Sequence, residues 1–487
     1  MKIYNTLTNQ KEEFVPVKAG EVGIYVCGVT VYAPLHLGHI RTYVAYDVMT
    51  EYLREFKNYK VNYIRNITDV GSVVGDADEG EDKIELKAKD QKVHPLELVD
   101  INIKGMWDSL DAVRCKRPNI SPRATGHIVE IIEAVQKMID AGYAYELDGN
   151  VYLDVSKIKN YGELSGNTLN KLSAGARISC DERKHTPYDF AVWKKAQQTS
   201  VLKWNSPWGV GYPGWHIECS VMSTKYLGTT FDIHGGGREL AFPHHENEIA
   251  QNYALFGKEP VKYWVHTGML NASDGTKMSK SKGNYVTVED ALKSYGARNL
   301  RYMACFAHYR SPISFSDKLF SQINAEYEKM ENFYINLCKN VKDSYNKNLA
   351  DALKVFKVNF EKEMDDDFNT SNALSEIFGF IKNANQIISS QDYDAKNVQE
   401  ITEFFVKMNK IFKVFDFLEQ KQEEDDERVT TIQQLVDDRN LCRKNKDFAN
   451  ADKIKEQIIK MGAIITDNKD GTTSFKIKGV KNWKEEQ

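Results

Sequence analysis

The sequence predicts an α/β protein: a doubly wound parallel sheet carrying an insertion, then an α-helical bundle, then a small C-terminal α+β domain. Three observations carry this reading. Residues 21–68 alternate strand, helix and strand; a second strand pattern ending in glycines appears after residue 200; and residues 319–418 show apolar stripes at helical spacing with almost no glycine or proline.

Taken in order, "EVGIYVCG" is apolar and β-branched, "VTVYAPLHLGH" carries a turn at Pro34 and Gly38, and "IRTYVAYDVMTEYLREF" has helical periodicity. The strand "YKVNYIRNIT" follows. This βαβ order implies a Rossmann-like parallel sheet, whose ligands lie beyond the C-terminal strand ends; residues 27–39 form such a place. We assign 1–120 to the first half of that domain. Residues 75–145 are mainly charged and helical, and Asp148-Gly149 inside "AYELDGNVYLDV" signals a hairpin, so 121–200 reads as the insertion. The sheet resumes at 201–255, with "TTFDIHGGGRELAF" as strand and glycine loop, and a further compact region fills 256–318. Residues 319–418 form the bundle. The charged, apolar-poor run 419–430 reads as a linker, and 431–487 as the tail domain.

With 487 residues and 41% hydrophobic content, the chain can bury several cores and is not disordered. A net charge of −4 does not by itself designate a nucleic-acid partner. Residues 431–487, however, carry a net +3 while the rest carries −7. That tail is either an RNA contact or a solvated helix face; Phe448, Phe475 and Trp483 could stack on bases or be core. The N-terminus lacks signal-peptide character and no run reaches the ~18 apolar residues of a membrane span, so the expectation is a soluble, cytoplasmic protein. Seven scattered cysteines argue for buried or metal-binding thiols over a disulfide framework.

Three motifs carry chemistry. In "HLGH", His36 and His39 sit where the first strand's turn enters a helix, so two imidazoles and free N–H groups face one anion-binding mouth. In "TKMSKSKGN", Lys277 and Lys280 lie among small polar residues and glycines, a composition suited to bringing ammonium groups onto phosphates. The third, "FPHHENEIA", packs two histidines and two glutamates into residues 244–248. His244 and Glu248 are four apart, hence on one helix face, and can share a metal ion, while His245 and Glu246 are expected to point elsewhere. Cys27 and Cys219 offer thiolates that would complete a tetrahedral set of mixed softness; both could equally be core. The order H-H-E-N-E satisfies neither zinc-protease helix pattern, so a hydrolytic site is disfavoured.

HLGH and KMSKS, about 240 residues apart on this pattern, resemble the signatures of class I aminoacyl-tRNA synthetases. With "YVCGVTVYAPLHLGH", "GWHIECS", "DIHGGG" and "FPHHENEIAQ", in order and spacing, the chain is similar to the cysteinyl-tRNA synthetases over nearly its full length. The resemblance implies ATP, entering with Mg²⁺, as a substrate bound by His36, His39, His234, Gly235, Gly236 and Lys280. His36, His39, Lys277 and Lys280 would stabilise the charge developing at phosphorus. It further implies one zinc ion on Cys27, Cys219, His244 and Glu248, and a cysteine pocket of Thr68, Trp215, Glu239 and His244. The partners implied are L-cysteine and tRNA(Cys), with the compact region 256–318 as stem contact and the tail as anticodon reader. A monomer with no membrane association is expected. Two departures stand out: Tyr212 replaces the family's arginine, and Glu239 its aspartate. The rivals are an amino-sugar cysteine ligase, a zinc hydrolase and a silent RNA-binding relative.

Overall fold

The computed structural model describes residues 1–71, 82–167, 183–214, 216–272, 275–276, 286–445, 447–461, 463–467 and 473–477, with backbone alone at 419–429, 464, 474, 476 and 477. It forms two compact units. The first comprises Met1–Glu326, Lys354–Phe380 and Lys410–Val414; the second comprises Tyr327–Leu353, Ile381–Asn409 and the described residues from Phe415 onward.

The first unit opens with an antiparallel pair, β1 (Lys2–Asn5) and β2 (Gln10–Glu13). Then comes the expected βαβ unit: β3 (Glu21–Val26), α1 (Leu37–Glu55) and β4 (Lys60–Arg65), the strands parallel with Ile24 opposite Tyr63. Helix α1 is buried nearly all round, which places it inside the unit. Helices α2 (Lys83–Gln91) and α3 (Pro95–Ala112) follow, the first capped by the Asp82 carboxylate and the second opened by Pro95.

The insertion contains α4 (Ile128–Asp140) and a five-stranded antiparallel sheet. Its strands are β5 (Ala144–Leu147), β6 (Asn150–Leu153), β7 (Phe190–Lys195), β8 (Trp204–Ser206) and β9 (Gly209–Pro213), ordered β5-β6-β7-β9-β8. Asp148 and Gly149 both have positive φ, 55° and 84°, as a two-residue hairpin turn of matching twist requires. This sheet runs to Pro213, past the expected boundary at 200. The β8–β9 hairpin pairs back onto β7 and is no part of the parallel sheet.

The parallel sheet resumes with α5 (Ile217–Leu227), β10 (Phe231–Gly237), α6 (His244–Phe256) and β11 (Val261–Thr267), giving the order β11-β10-β3-β4. Two expectations need correcting. The glycines 235–237, read as a loop, lie inside β10, and β11, read as beyond the sheet, is its edge strand. The glycines have a packing reason: a Cβ on Gly235 would stand 1.9 Å from the Val265 carbonyl oxygen and 2.0 Å from the Tyr46 hydroxyl. The unit continues through β12 (Leu270–Asn271), α7 (Val288–Tyr295), α8 (Ala297–Phe306) and β13 (Ile313–Ser314), which pairs with β12.

Four long helices, α9 (Asp317–Lys339), α10 (Lys347–Asp365), α11 (Thr370–Ser390) and α12 (Ala395–Phe412), occupy the expected bundle segment and are shared between the two units. The run read as a linker lies within α13 (Phe417–Lys444). Its Glu, Gln, Lys and Arg are strong helix formers, so an apolar-poor run there is still compatible with a helical backbone. The tail adds α14 (Phe448–Lys460) and an antiparallel pair, β14 (Ala463–Asp467) and β15 (Thr473–Ile477). Phe475 packs on the core of Ile432, Val436, Ile458 and Ala463, whereas Phe448 is 61% exposed; Trp483 lies outside the described residues. Arg439 is buried and bonded to Asp467 and Thr473, so its charge serves the tail's own fold. Among the described residues no helix is long and apolar enough to cross a membrane.

Candidate metal and nucleotide site

Helix α1 starts directly at the HLGH motif. His36 is its N-cap: Nδ1 accepts from the Gly38 N–H at 3.1 Å, while the His36 N–H donates to His39 Nδ1 at 3.2 Å. The imidazoles stack 3.6 Å apart. Both histidines are thereby fixed at the positive end of a 19-residue helix, at the C-terminal edge of the parallel sheet.

Beside them the sheet brings four nominated ligands together. Cys27 follows β3, Cys219 lies in the first turn of α5, and His244 and Glu248 share a face of α6, which begins at Pro243 as expected. Their ligand atoms all lie within 4.8 Å of one another. Cys27 Sγ is 3.8 Å from Cys219 Sγ, 3.3 Å from His244 Nε2 and 3.4 Å from Glu248 Oε1, and the last two are 3.2 Å apart. Two ~2.3 Å metal–sulfur bonds at a tetrahedral angle set their sulfurs ~3.8 Å apart, so the spacing fits zinc. Burial, then Cys219 and Glu248, pushes the Cys27 thiol well above its usual value, and burial holds Cys219 up at about 11. A divalent cation reverses that cost by taking the thiolates. The Glu248 carboxylate is fully buried and its Oε2 accepts no hydrogen bond from the described residues, which also fits a cation. His244 keeps 16% of its side chain exposed, leaving the cluster accessible from that edge.

A second set, Cys27, His234, His245 and Glu248, also converges. His245 therefore corrects an expectation: it is fully buried, with Nε2 3.3 Å from Cys27 Sγ and Nδ1 2.7 Å from His266 Nε2. Glu246 does point elsewhere, accepting from the Gly162 and Ser165 N–H groups. His234, nominated for ATP, is 1% exposed, and its Nε2 stands 3.4 Å from Cys27 Sγ and from Glu248 Oε2. The two-thiolate set suits zinc better than the set holding one sulfur. His216, which sequence reasoning passed over, caps α5 at a left-handed φ of 68° and sets its Nδ1 against His244 Nδ1. Burial lowers the affinity of His216 and His245 for protons far below the usual imidazole value, and that of His266 to about 3. The surrounding imidazoles are thus held neutral and can orient His244 without adding charge. The overlooked signal was spacing: His216 stands three residues before Cys219 at a helix start.

Thr68 is buried and bridges Thr30 beside the end of β3, with its Oγ1 accepting from Asn66 at 3.1 Å. Glu239 is exposed on the short turn Arg238–Ala241. Tyr212 is buried with Val70, Ala124 and Leu202. Trp215, Lys277 and Lys280 lie outside the described residues; Thr287, just beyond the lysine stretch, bridges His36.

Residues 13–325 match the family model for tRNA synthetases class I (C) catalytic domain, and residues 359–416 match the DALR domain. A cysteine–tRNA ligase of Chlorobaculum tepidum is 40% identical over 490 residues, covering 98% of this chain and 99% of the relative. The chain belongs to the cysteine–tRNA ligases. Another member, from the archaeon Thermococcus gammatolerans, is 42% identical over 493 residues with 98% and 99% covered. Among solved structures, a methionyl-tRNA synthetase of Mycobacterium tuberculosis with methionyl-adenylate superposes at a TM-score of 0.58, with 15% identity, covering 82% of this chain and 88% of its own. That likeness shows the shared fold.

Proposed function

We propose that this chain, like the cysteine–tRNA ligases it belongs to, activates L-cysteine with ATP as cysteinyl-adenylate and passes the cysteinyl group to the 3′ end of tRNA(Cys). One observation carries the reading: two thiols, an imidazole and a carboxylate from three separate segments meet at the sheet edge, beside the stacked histidine pair that opens α1. Cys27, Cys219, His244 and Glu248 would hold one zinc ion per chain. When bound it supplies a soft Lewis acid that takes a thiolate far better than an alcohol oxygen.

The chain's own residues do the rest. His216 orients His244, and the buried, uncharged imidazoles behind it keep the pocket dry. Cysteine and serine differ by one atom, and shape alone separates such pairs by only ~10–200-fold, so selection through sulfur at first binding makes editing unnecessary. Thr68, and by the family resemblance Trp215 and Glu239, line the amino-acid pocket. The N-terminus of α1 with His36 and His39, together with Lys277 and Lys280, meets the ATP phosphates and the charge that grows on them as the carboxylate attacks phosphorus. Gly235 and Gly236 border the adenosine. The bundle and the basic tail take the tRNA, with Phe448 as the exposed ring available for stacking. The reading includes a cytoplasmic monomer.

The test is charging of tRNA(Cys) by the full chain with ATP and cysteine. Cysteinylation of the tRNA is expected. Transfer to glucosaminyl-inositol instead, or amide hydrolysis without ATP, would refute the reading in favour of a rival.

A further inference from the structure

The cluster at the sheet edge is backed by a line of hydrogen bonds that leaves it through β11. His245 Nε2 stands 3.3 Å from Cys27 Sγ, His245 Nδ1 2.7 Å from His266 Nε2, and His266 Nδ1 2.9 Å from Thr6 Oγ1. Thr6, His245 and His266 are all buried. Thr6 directly follows β1 and is clipped to the edge of β11. Its N–H donates to Trp264 O at 2.8 Å, while the Asn5 side chain beside it donates to Lys262 O at 3.0 Å and accepts from the Trp264 and Leu7 N–H groups. Backbone pairing therefore sets the place of the Thr6 hydroxyl, and that hydroxyl meets His266.

A line of two imidazoles and a hydroxyl points one way at a time. A neutral ring offers one N–H and one lone pair, and the 2.7 Å gap between the rings holds a single hydrogen. The direction follows from the end that meets the cluster. A Cys27 that holds a cation is a thiolate, which only accepts. His245 Nε2 must then carry the hydrogen, its Nδ1 must accept from His266 Nε2–H, and His266 Nδ1 must accept in turn. The donor left at the far end is the Thr6 hydroxyl.

His234 also reaches Cys27, with Nε2 at 3.4 Å, but its Nδ1 is buried without a hydrogen-bond partner among the described residues. Nothing behind that ring holds its tautomer, so His245 is the imidazole with a backed N–H. Packing alone does not ask for threonine at position 6, since valine would fill the same space without burying a hydroxyl. What the threonine adds is the donor.

We propose that Thr6 is a positioning residue for the metal centre: through His266 it fixes the tautomer of His245 that donates an N–H to the Cys27 sulfur. That hydrogen bond draws charge off the thiolate, so the sulfur grips the ion while leaving it receptive to the further thiolate of cysteine. The inference rests on the zinc reading above. It is tested on the full chain loaded with zinc or cobalt(II), as wild type, Thr6→Val and Thr6→Ser, with circular dichroism to verify the fold. In the zinc-loaded wild type, NMR of nitrogen-15-labelled histidines should place the ring hydrogen on Nε2 in both His245 and His266. Thr6→Val should lower zinc affinity in chelator competition by roughly 10-fold, the lower end of the ~10- to 100-fold cost of losing a partner behind a metal ligand. The cobalt ligand-field bands should stay close to those of the wild type, because the ligands are unchanged. The sulfur-to-cobalt charge-transfer band should move to longer wavelength, because a sulfur without its hydrogen bond gives up charge more readily. Thr6→Ser, which keeps the hydroxyl, should restore both affinity and band.

An Nδ1–H on either ring of the loaded wild type, an unchanged affinity and band in Thr6→Val, or equal losses in the valine and serine variants overturns the proposal. The tautomer measurement uses the wild type alone and decides the matter should Thr6→Val fail to fold. A wild type that binds neither metal defeats the zinc reading itself; binding accompanied by any of the three overturning results defeats the Thr6 proposal alone.

Discussion

Replacing Cys219 by serine isolates the metal site from the rest of the sheet. Cys219 is 1% exposed and its Sγ lies 3.8 Å from Cys27 Sγ, so the smaller side chain leaves the packing nearly intact and removes one potential thiolate. Zinc held by four protein ligands is bound by about 10–16 kcal/mol, or ~2.5–4 kcal/mol per ligand if shared evenly. At about 1.4 kcal/mol per decade, a serine that stays protonated should weaken zinc binding by roughly 100- to 1,000-fold. The assay is competition with a chromophoric chelator, with circular dichroism to verify the fold. His245→Gln is the informative partner, because it belongs only to the alternative set with His234. Unchanged affinity in Cys219→Ser with loss of zinc in His245→Gln would refute the assignment of ligands.

Other perturbations test the frame that positions the site. Asp47→Ala leaves the fully buried Arg301 without its carboxylate partner at 2.5 Å and should cost about 3–5 kcal/mol in urea unfolding. Gly235→Ala should prevent folding or strongly destabilise, since the added carbon meets the Val265 backbone; Gly237→Ala, whose nearest obstacle is the Glu239 side chain, should yield folded protein. Burial, with Arg238 and His234, holds His266 near 3, so the unfolded chain takes up its proton first, below about pH 6.5. Its stabilising contribution is complete above that value and should fall by about 1.4 kcal/mol per unit as the pH drops towards 3; His266→Gln should flatten the urea-measured slope by that amount.

What was legible in the sequence was whatever a local pattern could carry. The βαβ start, the Asp148-Gly149 hairpin and the long helices follow from periodicity and turn chemistry. The four candidate metal ligands could be nominated because residue type limits the chemistry, and the i, i+4 spacing of His244 and Glu248 fixes a shared face. Long-range pairing was not legible. Nothing local told that Gly209–Pro213 pairs with β7, or that β11 joins the parallel sheet. The glycines of β10 read as a loop because the reason for them is Tyr46 on α1, nearly 190 residues away in sequence. The histidine cluster was hidden for the same cause: half-buried His216 and buried His234, His245 and His266 come from four elements, and each alone resembles an ordinary core or surface residue.

The central claim is that sulfur chemistry at this cluster selects the amino acid, and zinc-edge X-ray absorption of the loaded full chain tests it most directly. The free protein should show two sulfur neighbours at about 2.3 Å, rising to three when cysteine is added and remaining two with serine. A sulfur count that does not change on adding cysteine would contradict the account.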